Sequence, residues 1–258
     1  MKHIVSQGGD CAQFFNDYIT ADRKVLCIAT LGFNDICLNF PQALAGFPQV
    51  DFLLLIEDRP EVSEILRTAA ARNQEVLLKA LAHRKVVFET VEIVASDDTA
   101  NVAGRRAAQA CRKALQENYT DVFIDASSMS RGVCFPVVKY VFEQSKRPGH
   151  PSAHVMTAGR NRSTIKAQST SSDSPQFVHG FQGVMDTHQM DKAIKLWIPQ
   201  LSENAGTSLS RIQSKLAPDE TCPILPFPSW DPRRSDRLLK EFQGCLLYTS
   251  PSPRDLST

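Results

Sequence analysis

Residues 122–131, Val-Phe-Ile-Asp-Ala-Ser-Ser-Met-Ser-Arg, hold the densest set of side chains able to do chemistry. An apolar run ends at Asp125, three hydroxyls follow (Ser127, Ser128, Ser130), and a helical pattern begins at Arg131. Hydroxyls, free backbone N–H groups and a guanidinium at a strand-to-helix junction suit an anion, most often a phosphate. A serine N-cap is the simpler role and accounts for one of the three hydroxyls. Three within four residues exceed what a cap requires. A serine nucleophile has little support, because there is no G-x-S-x-G elbow and no histidine with a clear partner role.

Further candidates end other apolar runs. Thr30, Gly32, Phe33 and Asn34 form the loop after the first run, and Gly32 would let backbone approach a ligand. The loop is neither G-x-G-x-x-G nor a P-loop, which weakens a dinucleotide site and argues against a Walker-type ATPase. Glu57 and Asp58 end the second run, where an acid often bonds ribose hydroxyls; the alternative is a capping or solvated acid before Pro60. Asp125 would orient Arg131 or the serine N–H groups. Asp58, Asp97, Asp98 and Asp125 form a conceivable Mg²⁺ set, but strand-end acids are common, and no metal or cofactor is assigned.

Basic residues stand near three helix starts: Arg131, Arg105 with Arg106, and Arg233 with Arg234. A cation there is disfavoured by roughly 0.3–1 kcal/mol, so each asks for an anion or an acidic neighbour. Asp97, Asp98 and Asp236 are the nearest acids in sequence. Arg233 and Arg234 are accordingly candidate anion contacts. The histidines, among them His150, His154, His179 and His188, show no zinc spacing with cysteines and read as polar surface. Trp197 and Trp230 read as packing residues.

The elements that must position these groups follow from periodicity. A short helix is predicted over 11–20 and apolar strands over 24–29, 51–56, 86–94, 121–125 and 153–158. Helices are predicted from Pro60 to about Leu81, after a cap at 96–99, and from Arg131 to about Gln144, with Pro136 near the first turn. Strands alternating with helices, and reading as continuous apolar runs, predict an α/β fold: a doubly wound, mainly parallel, Rossmann-like sheet. Its ligand crevice lies beyond the carboxyl ends of the strands. Residues 1–160 form this domain. Residues 161–245 are a less regular extension, with a polar loop over 168–175, a strand over 177–181, a helix over 187–201 and a helix opening at Asp231-Pro232.

Composition excludes several classes. Of 258 residues, 42% are hydrophobic and 22% charged, as in ordinary globular proteins, and a net charge of +1 supplies no bulk field toward nucleic acid or membrane. No apolar run reaches the roughly 20 residues of a membrane span. Asp10, Asp17 and Asp22 interrupt the amino-terminal segment, so no signal peptide is expected. Seven widely spaced cysteines without C-x-x-C read as reduced core residues of a cytoplasmic protein. Residues 246–258 resemble the translated adapter tails carried by some environmental assemblies, and they are set aside.

A strand, a glycine loop, a strand with an acidic end, a third strand, then a strand ending Asp125-Ala-Ser-Ser-Met-Ser-Arg131 before a helix resembles the CRISPR-associated Rossmann-fold class of nucleotide sensors. Ser127-Ser128-Met129-Ser130 stands where that class carries a Gly-Gly-Thr type run. The resemblance implies a signalling nucleotide held at this turn, across a homodimer, in a regulatory or defence setting. Three functions stay open: binding of a nucleotide or other phosphate-bearing small molecule; an enzyme acting on a nucleotide or sugar phosphate; and a nucleic-acid or protein interaction module using Arg233 and Arg234.

Overall fold

Five apolar runs become five strands: β1 (Val25–Leu31), β2 (Val50–Asp58), β3 (Val86–Glu92), β4 (Asp121–Asp125) and β5 (Ser152–Met156). They come from a computed structural model that describes residues 5–59, 62–94, 102–159, 175, 177–178, 180–181, 194–203, 205–225 and 231–246. The strands lie in the order β3-β2-β1-β4-β5, every neighbouring pair parallel. β1 is buried at all seven positions and β4 at all five. That burial is why neither run alternates: each strand is covered on both faces.

Two helical layers supply the cover. On one face lie α1 (Gly9–Tyr18), a 3-10 turn (Asp35–Leu38), α2 (Asn39–Leu44) and α3 (Glu64–Ala80), packed on Val25, Cys27, Ala29 and Phe123. On the other lie α4 (Ala103–Ala114) and α5 (Arg131–Ser145), packed on Leu26, Ile28, Val122 and Ile124. Successive residues of β1 therefore point to opposite layers, as the pleat requires. Ala103, Ala107 and Cys111, four residues apart, give α4 a buried stripe of small side chains. The fold is a doubly wound α/β sheet. Its strand order reverses between β1 and β4, the switch point at which such sheets open a crevice.

The chain divides into two compact units, Met1–Lys166 with Val178–Gln182, and Ala167–Phe177 with Gly183–Thr258. The second unit contains β6 (Leu196–Trp197), α6 (Gly206–Leu216), β7 (Glu220–Thr221) and α7 (Arg234–Leu246). β6 and β7 pair in parallel. A small core of Leu201, Leu209, Leu238 and Phe242 packs with Trp197.

Several expectations are corrected. Of the helix predicted over 187–201, residues 187–193 lie outside the described residues; the described remainder holds a strand at Leu196–Trp197 and a bridge at Gln200. Pro199 blocks a helix there, and Ile194, Leu196 and Ile198 alternate at period two. α6 is unforeseen, because only Leu209 of its residues is buried and its apolar stripe is correspondingly faint. The helix predicted from Pro60 begins at Glu64. Pro136 lies inside α5 and gives no N–H to the helix ladder. No strand includes Phe177, Val178, Gly180 or Phe181. The cap at 96–99, Asp97, Asp98, His179, His188, Trp230 and the 247–258 tail lie outside the described residues.

Candidate functional site

The loops after β1 and β4 meet at the switch point. Thr30 is 3% exposed, and its Oγ1 lies 2.7 Å from Ser128 Oγ. The Ser128 hydroxyl also donates to the Thr30 carbonyl at 3.2 Å. This clasp ties the first residue group of the sequence reading to the second across 98 residues of chain. Ser127 Oγ accepts the Ala158 N–H at 2.8 Å, which fixes the same turn to the end of β5. Two of the three serine hydroxyls thus hold strand ends together.

Ser130 occupies the N-cap of α5 in extended conformation, but its hydroxyl makes no capping bond. Its backbone N–H donates instead to Glu57 Oε1 at 2.8 Å. Glu57 Oε2 pairs with Arg59 Nη2 at 2.8 Å. The acid at the end of β2 therefore turns toward the α5 start, while Asp58 is exposed. Arg131 is exposed and has no ion pair among the described residues. The backbone N–H groups of Val133 and Cys134 both bond the Ser130 carbonyl, leaving those of Arg131 and Gly132 at the open end of the helix.

Asp125 lies below this turn on the opposite face of the sheet. It is fully buried, and its Oδ1 accepts the Ser127 N–H at 3.0 Å. Its Oδ2 has no hydrogen-bond partner. Burial pushes this carboxyl above the usual carboxylate range, and the bonds from Ser127 offset only part of that. Its charge reaches Cys27 and Cys37, two thiols already raised by burial. Asp125 does not pair with Arg131; it braces the serine turn.

The first wall of the crevice is built by several helices. The Gly32 carbonyl accepts from Asn73 Nδ2 at 2.9 Å, and Cys37 Sγ lies 3.6 Å from it. Asn34 Oδ1 accepts the Ile36 N–H at 3.2 Å and caps the 3-10 turn. A Cβ added at Gly32 would meet nothing within 4 Å, so space lies open above the loop. Phe33 is partly exposed beside it. Sequence reasoning missed Asn73; its signal is a buried asparagine four residues before Leu77 on the core side of α3.

Other candidates fall elsewhere. Arg106 pairs with Glu92, while Asp97 and Asp98 lie outside the described residues. Arg234 pairs with Glu203, and the Arg233 N–H donates to Asp231 Oδ1 at 2.9 Å. His154 is corrected from polar surface to a buried-site partner: its Nε2 lies 3.0 Å from Asp121 Oδ1. A cavity of about 140 Å³ lies at the opposite, amino-terminal edge of the sheet, lined in part by Asp51, Lys85, Lys113, Glu117 and Tyr119. Its charges are locally paired: Lys24 and Lys85 with Glu117, Lys113 with Glu89, and the Tyr119 hydroxyl with Asp51. No group of three or more metal-ligating side chains occurs among the described residues. No helix there is long and apolar enough to cross a membrane.

No family model and no curated protein matches the chain. Among solved structures it is similar to the U34-tRNA thiolase NcsA of Methanococcus maripaludis, solved with its 4Fe-4S cluster, at 10% identity over 57% of each chain and a TM-score of 0.33. It is also similar to the pantoate-beta-alanine ligase of Francisella tularensis, complexed with beta-gamma ATP and beta-alanine, at 9% identity over 62% of this chain and 69% of that one, TM-score 0.34. The chain thus spans 57% of the length of the thiolase, and likeness at this level assigns no activity.

Proposed function

We propose that this chain binds a phosphate-bearing small molecule, a nucleotide in the first instance, at the carboxyl edge of its sheet. The observation that carries the reading is the 2.7 Å clasp between Thr30 and Ser128 at the strand-order switch point. It joins the turn that leads into the open end of α5 to the loop whose Gly32 faces open space. Helix N–H groups, the helix dipole and the Arg131 guanidinium, without an ion pair among the described residues, all favour a phosphoryl group there. Thr30, Gly32, Phe33 and Asn34 would line one wall. Glu57 and Asp58 would lie toward a sugar, and Ser127, Ser128 and Ser130 would shape the turn. The resemblance to CRISPR-associated sensors supports a regulatory or defence role and a homodimer.

Titration calorimetry with ATP and inorganic pyrophosphate tests this. Arg131→Ala should weaken binding at least 10-fold without lowering the melting temperature; unchanged affinity would remove the site. A second reading, an enzyme acting on a nucleotide or sugar phosphate, is favoured by one feature. Asp125 is a buried carboxyl with a raised pKa and an unpartnered oxygen, a pattern that recurs among general acids and bases. Turnover of a nucleotide panel, abolished in Asp125→Asn, would support it. An interaction module built on Arg233 and Arg234 is less favoured, since Glu203 already engages the Arg234 guanidinium.

A further inference from the structure

β3 is an edge of the sheet, and among the described residues nothing pairs with its outer side. Such an edge is a template for another strand unless it is short, bulged, interrupted by proline or guarded by charge. β5, the opposite edge, is five residues long and follows Pro151. β3 runs seven residues, Val-Val-Phe-Glu-Thr-Val-Glu, in unbroken register with β2 and without proline or glycine. Val87 and Phe88 stand on its two faces, 39% and 36% exposed. The charges along it do not guard the edge, because α4 and the residues just after it hold them. Lys113 Nζ lies 2.7 Å from Glu89 Oε1, Glu117 pairs with Lys85, and Arg106 pairs with Glu92. The Lys85 carbonyl accepts from Phe52, and the Ile93 N–H donates to the Asp58 carbonyl, so odd-numbered residues of this stretch turn their peptide groups to β2. Val86, Phe88, Thr90 and Glu92 turn theirs to the open edge.

We propose that this edge binds a second copy of the chain, β3 against β3 in antiparallel, with Val87 on the twofold axis. The inference gives the homodimer named above a surface and does not rest on the phosphate site. A twofold axis through the sheet sets side chains of one face opposite each other. With Val87 at the centre, the free peptide groups of Val86 bond those of Phe88 in the second copy, and Lys85 stands opposite Glu89. The two ion pairs that tie β3 to α4 then join into a row of alternating sign: Lys113 and Glu89 of one copy, Lys85 and Glu117 of the other. The row occurs on both sides of the axis. Neighbouring registers lack it: centring on Phe88 puts Val87 against Glu89, and centring on Glu89 opposes like charges. The strand is complementary to itself in charge and in its exposed apolar pair, which selects a second copy over a foreign strand. Pairing of this length buries less than the roughly 800 Å² per partner of a standard interface, so the dimer should be weak and concentration-dependent.

Analytical ultracentrifugation of the full chain, from micromolar to millimolar concentration, tests this. The native chain should pass from monomer to dimer across that range. Val87→Lys sets two ammonium groups face to face on the axis and should dimerise at least about 10-fold more weakly. A second arm reads the register and remains if the lysine variant does not fold. Val87→Cys, oxidised with diamide, should give a dimer on a non-reducing gel, because a residue on the axis meets its own copy. Thr90→Cys, an exposed position three residues along the same strand, should stay monomeric under the same treatment. A native chain that is monomeric throughout overturns both this surface and the homodimer. A dimer that persists unweakened in folded Val87→Lys overturns the surface and leaves the homodimer standing. Cross-linking of Thr90→Cys as complete as that of Val87→Cys overturns the register, and with it the proposal.

Discussion

Asp121 and Asp125 stand at the two ends of β4, point to the same face of the sheet and are both fully buried, yet their surroundings are opposite. Asp121 accepts from Tyr18 Oη at 2.8 Å, Arg23 Nη1 at 2.9 Å and Thr120 Oγ1 at 2.7 Å, with His154 Nε2 at 3.0 Å. Burial works against its ionisation, but His154, Thr120, Tyr18 and Arg23 together hold it far below the usual range. Rings of Phe14, Tyr18, Phe123 and His154 enclose the group, and Arg23 lies 3.8 Å over the Tyr18 ring. Asp125 has Ser127 and no second hydrogen-bonding residue among the described residues, and burial drives it the other way. A carboxylate satisfied at every lone pair is a fastener for α1. One left half-satisfied is a cost the fold tolerates, and such costs gather where ligands bind.

The largest effect should come from the satisfied end. Asp121→Ala strands several donors around a buried hole and should cost about 3–5 kcal/mol in urea unfolding. A loss below about 1 kcal/mol would mean that the aromatic packing, and not the carboxylate, holds α1.

The other end should respond with the opposite sign. Asp125→Asn keeps an oxygen for the Ser127 N–H and removes an uncompensated charge, so stability at pH 7 should rise by about 1 kcal/mol. The pH profiles should diverge as well. Asp121, lowered in the native state, contributes stability above its unfolded value of about 3.9, and that contribution is lost as pH falls through its native value. Asp125 is raised, so the native chain keeps this proton longer than the unfolded chain. Its contribution is complete below about 3.9 and declines as pH rises through the native value. The difference in unfolding free energy between Asp125→Asn and the native chain should therefore grow with pH from about 4 upward. A flat difference would mean that Asp125 titrates alike in the native and unfolded chains.

How much of this contrast the sequence discloses depends on distance along the chain. β1 and β4 are legible because seven and five consecutive residues are buried, and a continuous apolar run needs no partner to be recognised. The serine turn is legible because its hydroxyls are neighbours. The Asp121 cluster is not: its partners Tyr18, Arg23 and His154 stand 103, 98 and 33 residues away. Glu57 is visible as a strand-end acid, but its acceptor role at Ser130 needs the β2 and α5 ends side by side. In the second unit the signal fails for another reason. Its core rests on few buried residues, so periodicity there competes with proline and turn chemistry and misassigns 194–201.

A smaller effect tests the clasp that joins the two loops. Thr30→Val and Ser128→Ala each remove one side of the 2.7 Å hydroxyl pair and should cost about 1 kcal/mol apiece. The double variant should cost less than their sum, since the second change deletes a bond already broken. Strict additivity in denaturant melts would show that the two hydroxyls act separately, leaving the loops tied only through the Thr30 carbonyl.

An arginine pair repeats the comparison in cations, and its Arg131 member carries the smallest stability effect. Arg23 is bonded to Asp121 at one edge of the sheet, and Arg131 is exposed without an ion pair among the described residues at the other. Arg23→Ala removes a donor from a buried carboxylate and a cation from the Tyr18 face, so it should destabilise by about 2 kcal/mol and leave pyrophosphate affinity unchanged. Arg131→Ala removes a cation from the positive end of a helix dipole. It should stabilise the fold by roughly 0.3–1 kcal/mol while weakening pyrophosphate binding. Unfolding and calorimetry on the two variants together separate the roles. A destabilised Arg131→Ala would place that side chain among the fasteners, and the carboxyl edge would lose its free cation.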